Sequence, residues 1–256
     1  MHPIVSRDEW LEARKTLLAK EKLLTRIRDE LAEERRALPW VRVEKDYVFH
    51  GPAGHVTLAE LFAGRSQLFV KHFMLGPGVV GQCVGCSLEV DHLEPVRVHL
   101  EQHDVSVAIV ARAPIGEIEA VRNRMGWTIP WVSSYGSDFN FDFHVSFTPE
   151  EMAAGRAYYN YAWQKPWVED YSGDSVFVRD ESGAIFHTYS TFGRGAEGIL
   201  GVYAVLDMTP NGRNEPGPYR SLADWVRPRT MYGQGGFVEG NGRFHTDGCS
   251  CAAKHG

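Results

Sequence analysis

The sequence lacks long apolar runs, an excess of positive charge and all but a few cysteines. No stretch approaches the ~20 consecutive apolar residues of a membrane-spanning helix, and the opening segment MHPIVSRDEWLEARK has no apolar signal-peptide core. Lys and Arg number 27 against 33 Asp and Glu, a net charge of −6, whereas nucleic acids and anionic membranes attract positive charge. We therefore expect a soluble cytoplasmic protein with neither nucleic acid nor membrane as a partner.

Cysteine occurs four times in 256 residues. A chain of this length buries about 70% of its unfolded surface, so its core needs no disulfide framework. In the reducing cytoplasm, cysteine pairs are more often catalytic or metal-binding than structural. No G-x-G-x-x-G motif follows a predicted strand, so we expect no bound nicotinamide or flavin.

Three segments follow from the pattern along the chain: a charged helical arm over residues 1–38, a domain over 39–210 and an extension rich in Gly, Pro and Arg over 211–256. In the arm, Ser6 and Glu9 have capping-box spacing. Apolar residues recur every seven positions in this arm, at Trp10, Leu17, Leu24 and Leu31. Such a narrow stripe either packs on the protein's own domain or forms the seam of a homodimer.

The domain reads as α/β. Residues 67–75 and 105–112 are nearly continuous apolar runs, typical of buried parallel strands, with a glycine-rich turn and a predicted helix over 86–101 between them. Pro95 predicts a kink or break in that helix. Residues 175–191 predict a β-hairpin, residues 148–163 a helix, and the chain after Pro210 is expected to be extended or partly disordered.

The strongest chemical signal is Cys83-Val84-Gly85-Cys86, which follows a predicted strand and opens a predicted helix. A helix N-terminus carries partial positive charge and unpaired N–H groups, which favour the thiolate, the form that attacks. We expect Cys83 to face solvent and attack a disulfide or oxidised sulfur, and Cys86, one turn further, to resolve the mixed disulfide. Metal binding by the same pair is the alternative.

Other candidate residues surround this motif. Arg112, Trp127 and Trp131 are predicted to line a groove over the sulfurs, because ligands of open α/β sheets bind at strand ends. A copper or zinc site would need the two thiolates and a histidine; the candidates are His72, His144 and His187. Cys249 and Cys251, with His245 and His255, form either a second metal site or a shuttle dithiol for Cys83 and Cys86, unless they are incidental residues of a tail.

The segments FVKHFMLGP, CVGCS, MGWTIPWVSSYGSDFN and SVFVRDESGAIFHTYSTFGRG resemble domain-of-unknown-function family 899, over about residues 5–230. Its members are often labelled predicted dithiol-disulfide oxidoreductases. The resemblance implies a thioredoxin-like central mixed sheet flanked by helices, with Cys83 and Cys86 at the dithiol position. One departure is that no proline precedes the strand at Ser175, where thioredoxin-like proteins usually place a cis-proline that shapes docking and keeps metal off the sulfurs.

Together these features predict a thiol-disulfide oxidoreductase without a cofactor, acting on a protein or small-molecule thiol or disulfide. The alternatives are a copper- or zinc-binding protein and a thiol peroxidase.

Overall fold

A computed structural model describes residues 2–247, and the chain divides into two units, Met1–Trp40 and Val41–Gly256. The first unit holds helix α1, Arg7–Arg36. The predicted capping box is present, since the Ser6 hydroxyl accepts the Glu9 N–H and the Glu9 carboxylate accepts the Ser6 N–H. Within the described residues, no helix carries an apolar stretch long enough to cross a bilayer.

The second unit is built around a mixed sheet. Its strands are β1 Val41–Arg42, β2 Val48–Gly51, β3 Gly54–Thr57, β4 Gln67–His72, β5 Gln82–Cys83, β6 Val105–Ala111, β7 Trp131–Ser133, β8 Ala157–Tyr159, β9 Ala162–Gln164, β10 Gly173–Arg179, β11 Ile185–Phe192, β12 Gly236–Val238 and β13 Arg243–Thr246. Its helices are α2 Leu58–Leu61, α3 Val84–Gln102, α4 Ile115–Met125, α5 Phe139–Asp142, α6 Pro149–Ala154 and α7 Gly201–Leu206, with 3₁₀ segments at Gly193–Ile199 and Leu222–Asp224.

The main sheet has the strand order β1-β11-β10-β4-β6-β7-β2-β3. Strands β4 and β6 are parallel and joined through α3, while β10 and β11 form an antiparallel hairpin beside β4. The order β11-β10-β4-β6, with a helix between the two parallel strands, is the arrangement of the thioredoxin fold. The predicted α/β class and thioredoxin-like sheet are therefore confirmed.

Strand β4 separates two hydrophobic cores, because successive side chains of a strand point to opposite faces. Phe69 packs with the core that contains Cys83 and Cys86. Leu68 and Val70 belong to the core on the other face. The dithiol thus lies on one side of the sheet only.

The structure departs, in whole or in part, from three local predictions. The helix expected over 148–163 ends at Ala154, where Gly155 adopts φ 61°, and the chain continues into the β8–β9 hairpin. Helix α3 runs through Pro95 without a break. After Pro210 the described chain is folded: β12 and β13 pair with each other, and Phe244 and Val226 pack against Val84 of α3.

Candidate functional site

Cys83 is the N-cap residue of α3, and Cys86 lies in the first turn of that helix. The Cys83 sulfur accepts a hydrogen bond from the Cys86 backbone N–H at 3.3 Å. It also lies 3.7 Å from the sulfur of Met74, whose backbone N–H approaches the Cys86 sulfur at 3.5 Å. Both cysteines are free thiols. The predicted placement of the pair at a helix N-terminus is therefore observed.

The surroundings shift the pKa values of the two thiols in opposite directions. The hydrogen bond from the Cys86 thiol lowers the pKa of Cys83, helped by the Cys86 N–H and by the charges of Lys71 and Arg243, against the effect of burial. Burial raises the pKa of Cys86 well above its ordinary value, and its hydrogen bond to Cys83 raises it further. The surroundings of Cys83 therefore favour its thiolate, and those of Cys86 favour its protonated thiol.

Cys83 does not face open solvent, contrary to the sequence-based expectation. Only 5% of Cys83 and 1% of Cys86 is exposed. The reason is tertiary: β13 pairs with β5, placing Arg243 opposite Cys83, and the Val84 N–H donates to the carbonyl of Gly242 at 2.9 Å. Both cysteines instead line a cavity of about 1020 Å³.

A buried ionic cluster, which the sequence-based predictions did not include, lies behind the dithiol. The fully buried Lys71 ammonium contacts the Glu89 carboxylate, Asp174 Oδ1 at 3.3 Å and the Ser172 hydroxyl at 2.7 Å. Burial alone would lower the pKa of Lys71, but Asp174 and Glu89 outweigh it and raise that pKa. Burial raises the pKa of Glu89 well above its ordinary value, although Lys71 opposes this. A lysine inside an otherwise apolar strand was the available signal.

The predicted groove residues do not line the cavity that holds the sulfurs, which corrects the sequence-based groove. Trp127 and Trp131 are core residues, 3% and 1% exposed, with rings stacked 5.4 Å apart. Arg112 forms a two-pronged ion pair with Asp170 at 2.8 and 2.9 Å. Polar groups do lie at the strand ends. However, Arg112 is ion-paired with Asp170, and both indole rings are packed in the core, so these side chains form no groove over the sulfurs.

The histidines proposed as metal ligands also lie elsewhere. His72 follows Lys71 in β4 and therefore points to the opposite face of the sheet, where it bonds Ser175 Oγ at 2.9 Å and burial lowers its pKa to about 3. His187 bonds Ser190 Oγ at 2.7 Å, and His144 packs against Tyr158. The structure thus does not bring any of these three histidines to the cysteines.

No group of three His, Cys, Asp or Glu side chains within residues 2–247 is arranged to hold a metal ion. His245 is buried in β13, its ring stacked on Phe237. Cys249, Cys251 and His255 lie outside the described residues. The tail site and the shuttle dithiol therefore stay predictions.

The fold and the site define a thioredoxin-fold protein with a buried, cavity-facing dithiol at the start of the helix that follows the first central strand. The chain belongs to the DUF899 family of bacterial proteins of unknown function, whose model matches residues 1–232. No curated protein matches the sequence.

Several solved structures are similar at low sequence identity. A PrxQ variant of Xylella fastidiosa is 15% identical, with a TM-score of 0.39 over 62% of this chain and 87% of that chain. A peroxiredoxin Q variant of Xanthomonas campestris is 11% identical, with a TM-score of 0.43 over 66% and 98%. A protein described as a thiol:disulfide interchange protein DsbE, from Chlorobium tepidum, is 11% identical, with a TM-score of 0.38 over 66% and 97%.

Proposed function

We propose that this protein is a dithiol–disulfide oxidoreductase in which Cys83 is the nucleophile and Cys86 the resolving thiol. The observation that carries the proposal is the Cys83 sulfur at the N-cap of α3, accepting the Cys86 N–H at 3.3 Å, with the two thiol pKa values displaced in opposite directions. A stabilised thiolate beside a protonated partner is the arrangement that two-step thiol–disulfide exchange needs.

The reaction has two steps. The Cys83 thiolate attacks one sulfur of a substrate disulfide; that S–S bond breaks and the first thiolate leaves. Cys86 then loses its proton and attacks the Cys83 sulfur, releasing the second thiolate and forming the Cys83–Cys86 disulfide. Two electrons pass from the dithiol to the substrate, and each leaving thiolate takes up a proton.

Lys71 does not contact the substrate in this proposal; it acts by its charge on the two cysteines. It is fully buried, and its positive charge lowers the pKa of Cys83 and of Cys86. Glu89 and Asp174 hold the ammonium in place. The charge therefore favours both thiolates that the reaction passes through.

The test uses Cys86→Ser protein, pre-reduced and mixed with one equivalent of a disulfide. We expect a stable mixed disulfide on Cys83, identified by mass spectrometry, and none with the matched Cys83→Ser protein. Full oxidation of wild-type protein should give the Cys83–Cys86 bond, which dithiothreitol reverses. No mixed disulfide in Cys86→Ser, with the thiols intact, would refute the proposal.

A thiol peroxidase is the second candidate, favoured by the recess that holds the Cys83 thiolate. The thiolate would attack the outer oxygen of a hydroperoxide, breaking the O–O bond to give Cys83 sulfenic acid and an alcohol; Cys86 would then displace water and form the disulfide. Dimedone should label Cys83 in Cys86→Ser under one equivalent of hydroperoxide. Oxidation no faster than that of free cysteine would exclude this activity.

A further inference from the structure

Cys83 and Cys86 line the cavity of about 1020 Å³ together with Met74. Ligand sites are commonly cavities of ~300–1000 Å³. Since Cys83 is 5% exposed and Cys86 1%, a disulfide must enter this space before its sulfur can approach the nucleophile.

The facing wall is supplied by segments that follow the last strand of the thioredoxin-like motif. Ala196 of the 3₁₀ segment, Leu200 just before α7 and Tyr203 within α7 are each at least nine-tenths buried and line the cavity. Leu222 lies within 3.5 Å of the position that a Cβ on Gly85, between the two cysteines, would occupy. The body of a ligand beside the sulfurs therefore meets apolar side chains.

Most of the charged groups that line this wall already have hydrogen-bond or ion-pair partners. Arg213 bonds Glu197 at 3.0 Å and Asp207 at 2.8 Å, and stacks over the Tyr203 ring at 3.7 Å. Glu215 accepts the hydroxyl of Tyr203 at 2.8 Å. A charged substituent would have to displace these partners, whereas an apolar one would not.

One edge of β5, the strand that contains Cys83, is closed to a docking polypeptide. A protein disulfide commonly approaches as an extended segment that adds to a strand edge. Here β13 already occupies the edge of β5, with Arg243 paired to Cys83 and Phe244 paired to Gln82. The backbone beside the nucleophile has no free edge on that side within the described residues.

We propose that the substrate is a small-molecule disulfide with uncharged, apolar flanking groups, and that protein disulfides are excluded. The inference rests on the proposed dithiol function and names its substrate class. The exchange is the one written above: the small disulfide takes two electrons and leaves as two thiols, and Cys83 and Cys86 become a disulfide.

The experiment follows loss of the Cys83 thiol in pre-reduced full-length protein after addition of dipropyl disulfide, dithiodipropionate or insulin, with quenching by N-ethylmaleimide and mass spectrometry. Dipropyl disulfide should react at least about tenfold faster than either of the others, a ratio typical of discrimination in an apolar pocket. A cavity-filling variant, Ala196→Trp, should slow it by a similar factor, while Ala204→Trp on the exposed face of α7 should not.

A second variant, Leu222→Trp, fills the same cavity from the opposite wall. It is used instead of Ala196→Trp if circular dichroism shows that Ala196→Trp does not fold. An equal rate with insulin, an equal rate with the charged disulfide, or an unchanged rate in the filled variants would each overturn the inference while leaving the dithiol function intact. If none of the three disulfides oxidises Cys83, the proposed function itself fails.

Discussion

Arg243 and Cys83 lie opposite each other across two antiparallel strands, so the C-terminal hairpin runs alongside the proposed nucleophile and bonds the next residue, Val84, through the Gly242 carbonyl. The hairpin, Gly236–Thr246, lies beyond the residues that the family model matches, 1–232. Arg243 also lowers the pKa of Cys83 by its charge. A segment added after the thioredoxin-like motif thus both covers the sulfur and favours its thiolate.

Replacing Cys86 should show that its thiol is the hydrogen-bond donor that acidifies Cys83. In Cys86→Ala the donor side chain is lost, so the pKa of Cys83 should rise; in Cys86→Ser the hydroxyl still donates, so the pKa should stay lower than in Cys86→Ala. The measurement is the pH profile of Cys83 alkylation by iodoacetamide. Identical profiles for the two variants would contradict this assignment.

Lys71→Met should destabilise the fold strongly. It removes the cation that pairs with the buried Asp174 carboxylate and contacts the buried Glu89 side chain, and breaking a buried pair in this way costs about 3–5 kcal/mol. Urea unfolding measures the loss, and the pKa of Cys83 should rise in the same protein, a change that packing alone would not produce. Lys45→Met is the control, because Lys45 pairs with Asp142 at the surface and should change stability far less.

Glu89→Gln should change how stability depends on pH. The folded-state pKa of Glu89 is raised by burial, so the folded state binds this proton more tightly than the unfolded chain. Its contribution is fully present below the unfolded pKa, about 4.3, and is lost as pH rises towards the folded pKa. The difference in unfolding free energy between Glu89→Gln and wild type should therefore shift in favour of the variant as pH rises, by up to about 1.4 kcal/mol per pH unit. Parallel curves would show that Glu89 does not titrate in this way.

Gly81→Ala should loosen the C-terminal hairpin. Gly81 has φ +91°, and an added Cβ would lie 2.7 Å from the His245 ring and 3.1 Å from the Phe244 carbonyl oxygen. The bulky disulfide reagent DTNB should then react faster with Cys83. Gly78→Ala is the matched control: it has φ +67° but open space around the new methyl. Equal acceleration in both variants, or none in Gly81→Ala, would mean that the hairpin does not limit access.

The heptad spacing of Leu17 and Leu24 on α1 fits either packing on the protein's own domain or a homodimer seam, and we propose the homodimer. Leu17→Glu with Leu24→Glu should convert a dimer to a monomer in light scattering, since two charges at seam positions oppose close helix packing. Ala19→Glu, on the other side of the helix, should leave the dimer intact. A monomeric wild-type protein would refute this prediction.

Patterns among residues close in sequence were sufficient to predict several structural elements of this protein. The Ser6–Glu9 capping box, the buried strands flanking the cysteines and the hairpin around Asp180 each depend on residues close in sequence, and each is observed. The same holds for Cys83 at the start of α3, because a strand, a glycine-rich turn and a helix follow one another along the chain.

The residues that surround the two sulfurs could be identified only from the tertiary structure. Lys71 and His72 are adjacent in sequence, yet the alternation of a strand puts one behind the dithiol and the other on the far face of the sheet. The cover on Cys83 comes from Arg243, 160 positions along the chain. Sequence patterns report a residue's neighbours along the backbone, whereas burial, ion pairing and strand addition depend on which distant segments pack together. The residue that attacks was therefore predictable, and what can reach it was not.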